Sequence, residues 1–335
     1  MQECHTWLCL SVYIITFVLG FPANILAFYT FCKKVRQKPT PIDILLLNLT
    51  ISDLLFLLFL PFKMQEVLDD MVWNMPYAFC PLSGFIFYMT IYNSTFCLTA
   101  VSVERYLGVA FPIQHSLKRR PVYAVAASIF FWIFTCLNLS IVYIIPFIGK
   151  DSTVHNVSGI APIDASKRRV CYENFSDAQL RVLLPVRLEL CVVLFFIPLI
   201  ICSFCYINFI RILSKLQHID RRRRLRAIGM ALGTLLVFAL CFGPYNISHI
   251  VGFITRKSPD WRDTALLCST FNACLDPLIF YFSSSAVRGT VGSVMKGVKS
   301  HLNSSMSCHT LQALRGGINK TVKDKEHTQE ETNTV

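Results

Sequence analysis

Apolar residues in this chain fall in long runs broken by short polar stretches, not in the narrow stripes of soluble amphipathic helices. A bilayer core about 30 Å thick needs roughly 20 apolar residues per helical crossing. Seven segments meet that demand, at 8–31, 42–66, 78–106, 122–148, 184–213, 225–254 and 263–282. The pattern predicts an all-α protein, a seven-transmembrane helix bundle. No Lys or Arg precedes the first run, and Lys33 and Lys34 follow it, so it reads as a span and not as a signal peptide. Within Ser284–Ser300, Val287, Val291, Val294, Met295 and Val298 recur at helical spacing opposite Arg288, Lys296 and Lys299. That is the signature of a short amphipathic eighth helix on the inner membrane surface. Residues 1–300 therefore form the membrane domain, and 301–335 a polar, disordered cytoplasmic tail.

Composition agrees: 54% of residues are hydrophobic and 16% charged, against about 25% charged in soluble chains. Of 32 Lys and Arg, 22 lie in 33–38, 105–120, 211–226 and 288–325, all on one side of the predicted bundle. The positive-inside rule then places the N-terminus outside and the C-terminus in the cytoplasm of a multi-pass plasma-membrane protein. The net charge of +12 is thus mainly a topology signal. No soluble basic face with aromatic platforms accompanies it, so a nucleic-acid partner is not expected. Most of the fourteen cysteines sit in spans, where they act as small hydrophobes. Cys4, Cys9, Cys80 and Cys171 fall outside, and the pairing of Cys4 with Cys9 stays open. Cys202 and Cys205 form a C-x-x-C in an apolar helix without the βαβ context of a redox motif. The long outer loop, 149–183, carries glycosylation sequons at Asn156 and Asn174. Cys308 is a candidate palmitoylation site.

Polar residues inside spans require partners. Asn24, Asp53, Ser94 and Asp276 are the landmarks. Two mid-membrane carboxylates demand either a proton on one or a cation between them; a neutral hydrogen-bonded network is the alternative. Near the outer helix ends, Tyr245 and His249 share a face of the sixth helix, Tyr88 and Tyr92 a face of the third, and Arg187 and Arg262 lie in the fifth and seventh. Two guanidinium groups among phenols and an imidazole suit a carboxylate. Snorkelling of each Arg into the interface is the competing reading.

The ordered set Asn24, Asp53, Glu104-Arg105-Tyr106, Trp132, Pro198, Pro244 and Asp276-Pro277 resembles the landmarks of rhodopsin-like G-protein-coupled receptors, one group per helix. Arg105-Tyr-Leu-Gly-Val-Ala-Phe-Pro112, Leu184-Pro-Val-Arg187-Leu-Glu-Leu190, Cys241-Phe-Gly-Pro-Tyr-Asn-Ile-Ser-His249 and Phe282-Ser-Ser-Ser285 resemble the free fatty acid receptor family. Cys171-Tyr-Glu173-Asn-Phe175 points to its short-chain fatty acid type. The resemblance implies a Cys80–Cys171 disulfide, and a fatty-acid carboxylate bound by Arg187 and Arg262, with His249, Tyr245, Tyr88, Tyr92 and Glu173 lining the site. It also implies an allosteric sodium ion at Asp53, Ser94, Asn272 and Asp276, with no other metal or cofactor. Glu104, Arg105 and Tyr106 would couple to a heterotrimeric G protein, and arrestin and a receptor kinase would act at the tail. Four positions depart from the expected patterns. Phe242 and Phe280 replace Trp and Tyr of the broad superfamily, Asn138 replaces a His of the short-chain receptors, and Arg224 stands where many relatives carry an acidic partner for Arg105. That last change predicts a looser inactive state. A receptor for another small anion (a nucleotide or a longer fatty acid), a transporter and an intramembrane aspartyl enzyme are the alternatives. No inverted repeat favours the transporter, and the enzyme has only its two acids.

Overall fold

The computed structural model describes residues 6–69, 71–76, 78–118, 120–145, 171, 175–216 and 220–300 of the 335. Cys4, Asn156, Glu173, Asn174, Cys308 and the tail lie outside the described residues. Among the described residues, seven helices are long and apolar enough to cross a membrane: α1 Thr6–Gln37, α2 Pro41–Leu68, α3 Phe79–Ala110, α4 Pro121–Ile144, α5 Asp177–Lys215, α6 Arg221–Thr255 and α7 Arg262–Ser283. A short helix, Pro112–Lys118, links α3 to α4, and residues 285–300 form α8, with Val294, Met295 and Val298 exposed.

Several helices outrun their apolar segments because polar caps extend them. Ser176 and Gln179 form a capping box that starts α5 at Asp177, well before the apolar run at 184. Asp220 caps α6 by accepting from the Arg222 N–H. Thr40, followed by Pro41, opens α2.

The bundle's outer surface is apolar, and the polar residues of its spans are buried within a mainly hydrophobic core. Asn24, Asp53, Ser94, Asn272 and Asp276 are buried, while Val18, Leu19, Phe130, Leu137, Ile200 and Phe204 are exposed. In α3, 78% of the apolar stretch is buried, against 17% in α4, so α3 is the central helix and α4 the peripheral one.

Prolines lie inside several of the helices, and at Pro198 and Pro277 a neighbouring side chain takes up the carbonyl released. A proline ring displaces the hydrogen bond to the carbonyl four residues earlier. For Pro277 that carbonyl is Ala273 O, which accepts from Asn24 Nδ2 at 2.8 Å. Asn24 thus ties α1 to the break in α7, and Gly20 permits the approach, since a Cβ there would lie 3.2 Å from Ala273 O. For Pro198 the carbonyl is Leu194 O, which accepts from Thr95 Oγ1 at 2.9 Å. Wide π-type turns precede Pro198 (Cys191–Phe196) and Pro244 (Val237–Phe242), the local adjustment expected where a helical ladder is interrupted. Cys191 Sγ in one of these turns donates to Asn246 O of α6 at 3.2 Å, linking the two helices. At the end of α3, Cys80 is joined by a disulfide to Cys171 of the long loop, the pair the resemblance implied.

Candidate functional site

Arg262 opens α7, its backbone N–H bonded to Pro259 O at 3.1 Å. The residue is buried, at 6% exposed. Nη2 donates to Tyr245 OH at 2.9 Å and to Tyr88 OH at 3.2 Å. The two phenol rings stack at 5.8 Å, with 11° between their planes, and the guanidinium lies 5.3 Å from the centroid of Tyr245. A clamp of this kind fixes the direction of the guanidinium fork. Asp263 Oδ1 lies 3.6 Å from Arg262 Nη1, but the Asp263 side chain is 47% exposed, so water screens that pair.

Arg187 on α5 is equally buried, at 4% exposed. Its Nη1 donates to Ser258 Oγ in the loop between α6 and α7 at 3.4 Å, and Phe175 covers its face at 5.3 Å. Between the two arginines, His249 packs edge-on against Tyr245 at 4.5 Å, with Nε2 3.4 Å from Tyr92 OH. His249 Nδ1 and Arg262 Nε have no hydrogen-bond partner among the described residues. Six of the seven expected ligand residues therefore gather at one end of the bundle. The seventh, Glu173, lies outside the described residues.

The structure adds residues that the sequence reading passed over. A cavity beside Arg262 and Tyr88 is also lined by Tyr13, Lys63, Glu66 and Phe87. Lys63 Nζ and Glu66 Oε2 form an ion pair at 2.8 Å, with Glu66 almost fully buried. Opposite charges three apart inside the apolar segment 42–66 were the available signal; they read as a helix end because the apolar run closes there. Arg187, Tyr92, Tyr245 and His249 are not among the residues lining this cavity.

Deeper in the bundle, Asn272 Nδ2 donates to Asp53 Oδ1 at 3.4 Å, and Asp276, four residues after Asn272 on α7, is fully buried. Asp53, Ser94 and Asn272 share a small cavity with Thr90 and Ser269. Asp53 Oδ2, Asn272 Oδ1 and both Asp276 oxygens lack a hydrogen-bond donor among the described residues. Orphaned carboxylate and carbonyl oxygens beside hydroxyls are the donor set of a small hard cation, so the residues fit sodium.

Comparison with known proteins places this arrangement. Residues 23–280 match the family model described as the 7 transmembrane receptor (rhodopsin family). Free fatty acid receptor 3 of Mus musculus is 48% identical over 279 residues, covering 83% of this chain and 84% of that one. Free fatty acid receptor 2 of Rattus norvegicus is 50% identical over 291 residues, covering 87% and 86%. The protein of that same name in Homo sapiens is 47% identical over 293 residues, with the same coverage, 87% and 86%. The chain belongs to the free fatty acid receptor family. It is a rhodopsin-like G-protein-coupled receptor of the plasma membrane, not an enzyme.

At the opposite end of this receptor, the three residues closing α3 point in different directions. Glu104 Oε2 pairs with His115 of the short linking helix at 3.0 Å. Arg105 Nη2 donates to Ser283 O at 3.0 Å and to the Ser283 hydroxyl. Tyr106 packs against Phe204 of α5 at 5.9 Å. Arg224 offers no acid and turns to Leu216 O at 2.6 Å, but the end of α7 supplies a substitute anchor for Arg105. Phe242 and Phe280 are fully buried; Phe280 packs edge-on against Phe31 at 5.5 Å. Asn138 donates to Phe134 O of its own helix at 2.7 Å.

Proposed function

We propose that this receptor is activated from outside the cell by short-chain fatty acids and other small carboxylates. Its N-terminus is extracellular and its C-terminus cytoplasmic, with the G protein at the Arg105 end and arrestin and receptor kinase at the tail. The observation that carries the reading is the pair of buried arginines, Arg187 and Arg262, met among the described residues by hydroxyls and, close by, an imidazole. Snorkelling would leave the two guanidinium groups in water; here both are desolvated, which strengthens a charge-assisted bond to an anion. Among the described residues the Lys63–Glu66 pair is internally neutral, and Asp263 beside Arg262 is half-exposed and screened by water. The printed names of the relatives, free fatty acid receptors, support the same class of ligand. Aromatic rings crowd the guanidinium groups on both sides, which favours a short alkyl chain.

Carboxylate binding would bridge α5 and α7 across α6. It biases the bundle only as far as it binds one arrangement more tightly than the other. The π-type turns in α5 and α6 are the places where these helices can change pitch. A panel of straight-chain carboxylates and nucleotides, read by G-protein activation in transfected cells, tests the reading. Potency should be highest for the shortest acids and fall with length, and nucleotides should be silent. Nucleotide activation without carboxylate activation would replace the ligand class.

Asp53, Ser94, Asn272 and Asp276 would hold an allosteric sodium ion, which supplies the positive charge that lets both carboxylates stay ionised. If sodium prefers the inactive arrangement, linkage requires that it weaken agonist binding. Agonist affinity should therefore be lower in sodium than in an equal concentration of N-methyl-D-glucamine, and Asp53→Asn should remove the difference. Equal affinity in the two cations would leave the cluster a packing network.

A further inference from the structure

The loop between α6 and α7 takes a fixed path over Arg187. Arg256 ends α6 in the left-handed region at φ 58°, which turns the chain back on the helix. The next residues press on Gly252: a Cβ there would meet Lys257 O at 3.1 Å and Pro259 Cδ at 3.3 Å. Thr255 Oγ1 donates to Lys257 O at 3.4 Å, and the Arg262 N–H is bonded to Pro259 O. Ser258 is pinned between these two anchors, with its hydroxyl facing Arg187 Nη1 at 3.4 Å. Phe175 lies on the face of the same guanidinium.

That hydroxyl contact is long beside the 2.7–2.9 Å typical of a charge-assisted bond. A carboxylate oxygen is a stronger acceptor for the same guanidinium than a hydroxyl, because it adds charge–charge attraction and can meet the fork with two bonds. A carboxylate oxygen arriving at Nη1 would therefore displace the Ser258 oxygen. The displaced hydroxyl stays nearby because the loop is held on both sides.

We propose that Ser258 is a positioning residue for the ligand: its hydroxyl holds the place on Arg187 that a carboxylate oxygen takes. This rests on the carboxylate reading of the site. Tyr88 and Tyr245 serve Arg262 in the same way, so each guanidinium is oriented by hydroxyl groups before the anion arrives. An acidic side chain at 258 becomes a tethered competitor for Arg187, whereas its amide isostere does not.

The test compares Ser258→Asp with Ser258→Asn at matched surface expression, with propionate as the probe and G-protein activation as the readout. Replacing the uncharged acceptor on Arg187 by a carboxylate lowers propionate potency by about tenfold or more in Ser258→Asp. Ser258→Asn should stay within about threefold of the parent, since an amide oxygen is an uncharged acceptor as a hydroxyl is. A purely structural role for Ser258 would affect both variants alike, and equal potencies would overturn the proposal. Should Ser258→Asp fail to reach the surface, Ser258→Glu against Ser258→Gln makes the same comparison with a longer reach. Failure of the carboxylate reading itself is distinguished by Arg187→Ala. If that change leaves propionate potency intact, the site reading falls; if it abolishes the response while the Asp and Asn variants agree, only the role of Ser258 falls.

Discussion

Replacing Arg262 with Ala lowers the potency of short-chain carboxylates by roughly 30-fold or more, because losing one partner of a buried charge pair typically costs about 2–5 kcal/mol. Arg187→Ala has an effect of the same order. Each guanidinium is buried, so its loss leaves a desolvated anion short of a donor that water cannot readily replace. Lys at either position should rescue poorly. An ammonium is a point charge and reproduces neither the planar fork nor, at Arg262, the packing over Tyr245. Tyr245→Phe should cost less, since it removes one of the two phenols on Arg262 Nη2 and keeps the ring stack. Concentration–response curves at matched surface expression decide the matter. Unchanged potency in both arginine variants would end the carboxylate-site reading and leave the receptor assignment standing.

Loss of the Lys63 charge has the second large expected effect, and it falls on stability. Glu66 is 2% exposed and Lys63 forms its ion pair at 2.8 Å. Lys63→Met leaves that carboxylate buried and uncompensated, which costs about 3–5 kcal/mol in comparable buried pairs. The lower end applies, because the Lys63 side chain is 20% exposed and admits some water. The double change Lys63→Met with Glu66→Leu should recover most of the loss, since replacing both members of a buried pair by apolar groups is often neutral. Thermal unfolding of the purified, detergent-solubilised receptor measures both. A single variant as stable as the parent would show that the Glu66 carboxylate is solvated or protonated in the folded protein.

Much of this architecture was legible in the chain. The seven runs were readable because a lipid solvent imposes an unbroken apolar requirement that nothing else in a sequence imitates. Part of the candidate site was readable because Tyr88 with Tyr92, and Tyr245 with His249, stand four apart and so share helix faces whatever the tertiary packing. What escaped depends on how helices meet or how loops run. Arg105 finds Ser283 far along the chain, partly through a backbone carbonyl that carries no sequence signature. Lys63 and Glu66 lay at the edge of an apolar run, where solvated ends and buried pairs look alike. Ser258 reaches Arg187 only because Gly252 lets the loop lie flat on α6. Helix starts at Asp177 and Arg221 escaped for another reason: their capping residues are polar, and hydropathy marks the membrane crossing and not the helix.

The account rests on an anion being read by two buried arginines, and the most direct measurement is nucleotide exchange on a heterotrimeric G protein in receptor membranes, driven by propionate or by propionamide. The two probes share shape and chain length and differ in charge. Propionate should drive exchange in a saturable manner, and propionamide should be inactive at concentrations where propionate saturates. Equal stimulation by both, or stimulation by the amide alone, would contradict recognition of the carboxylate charge.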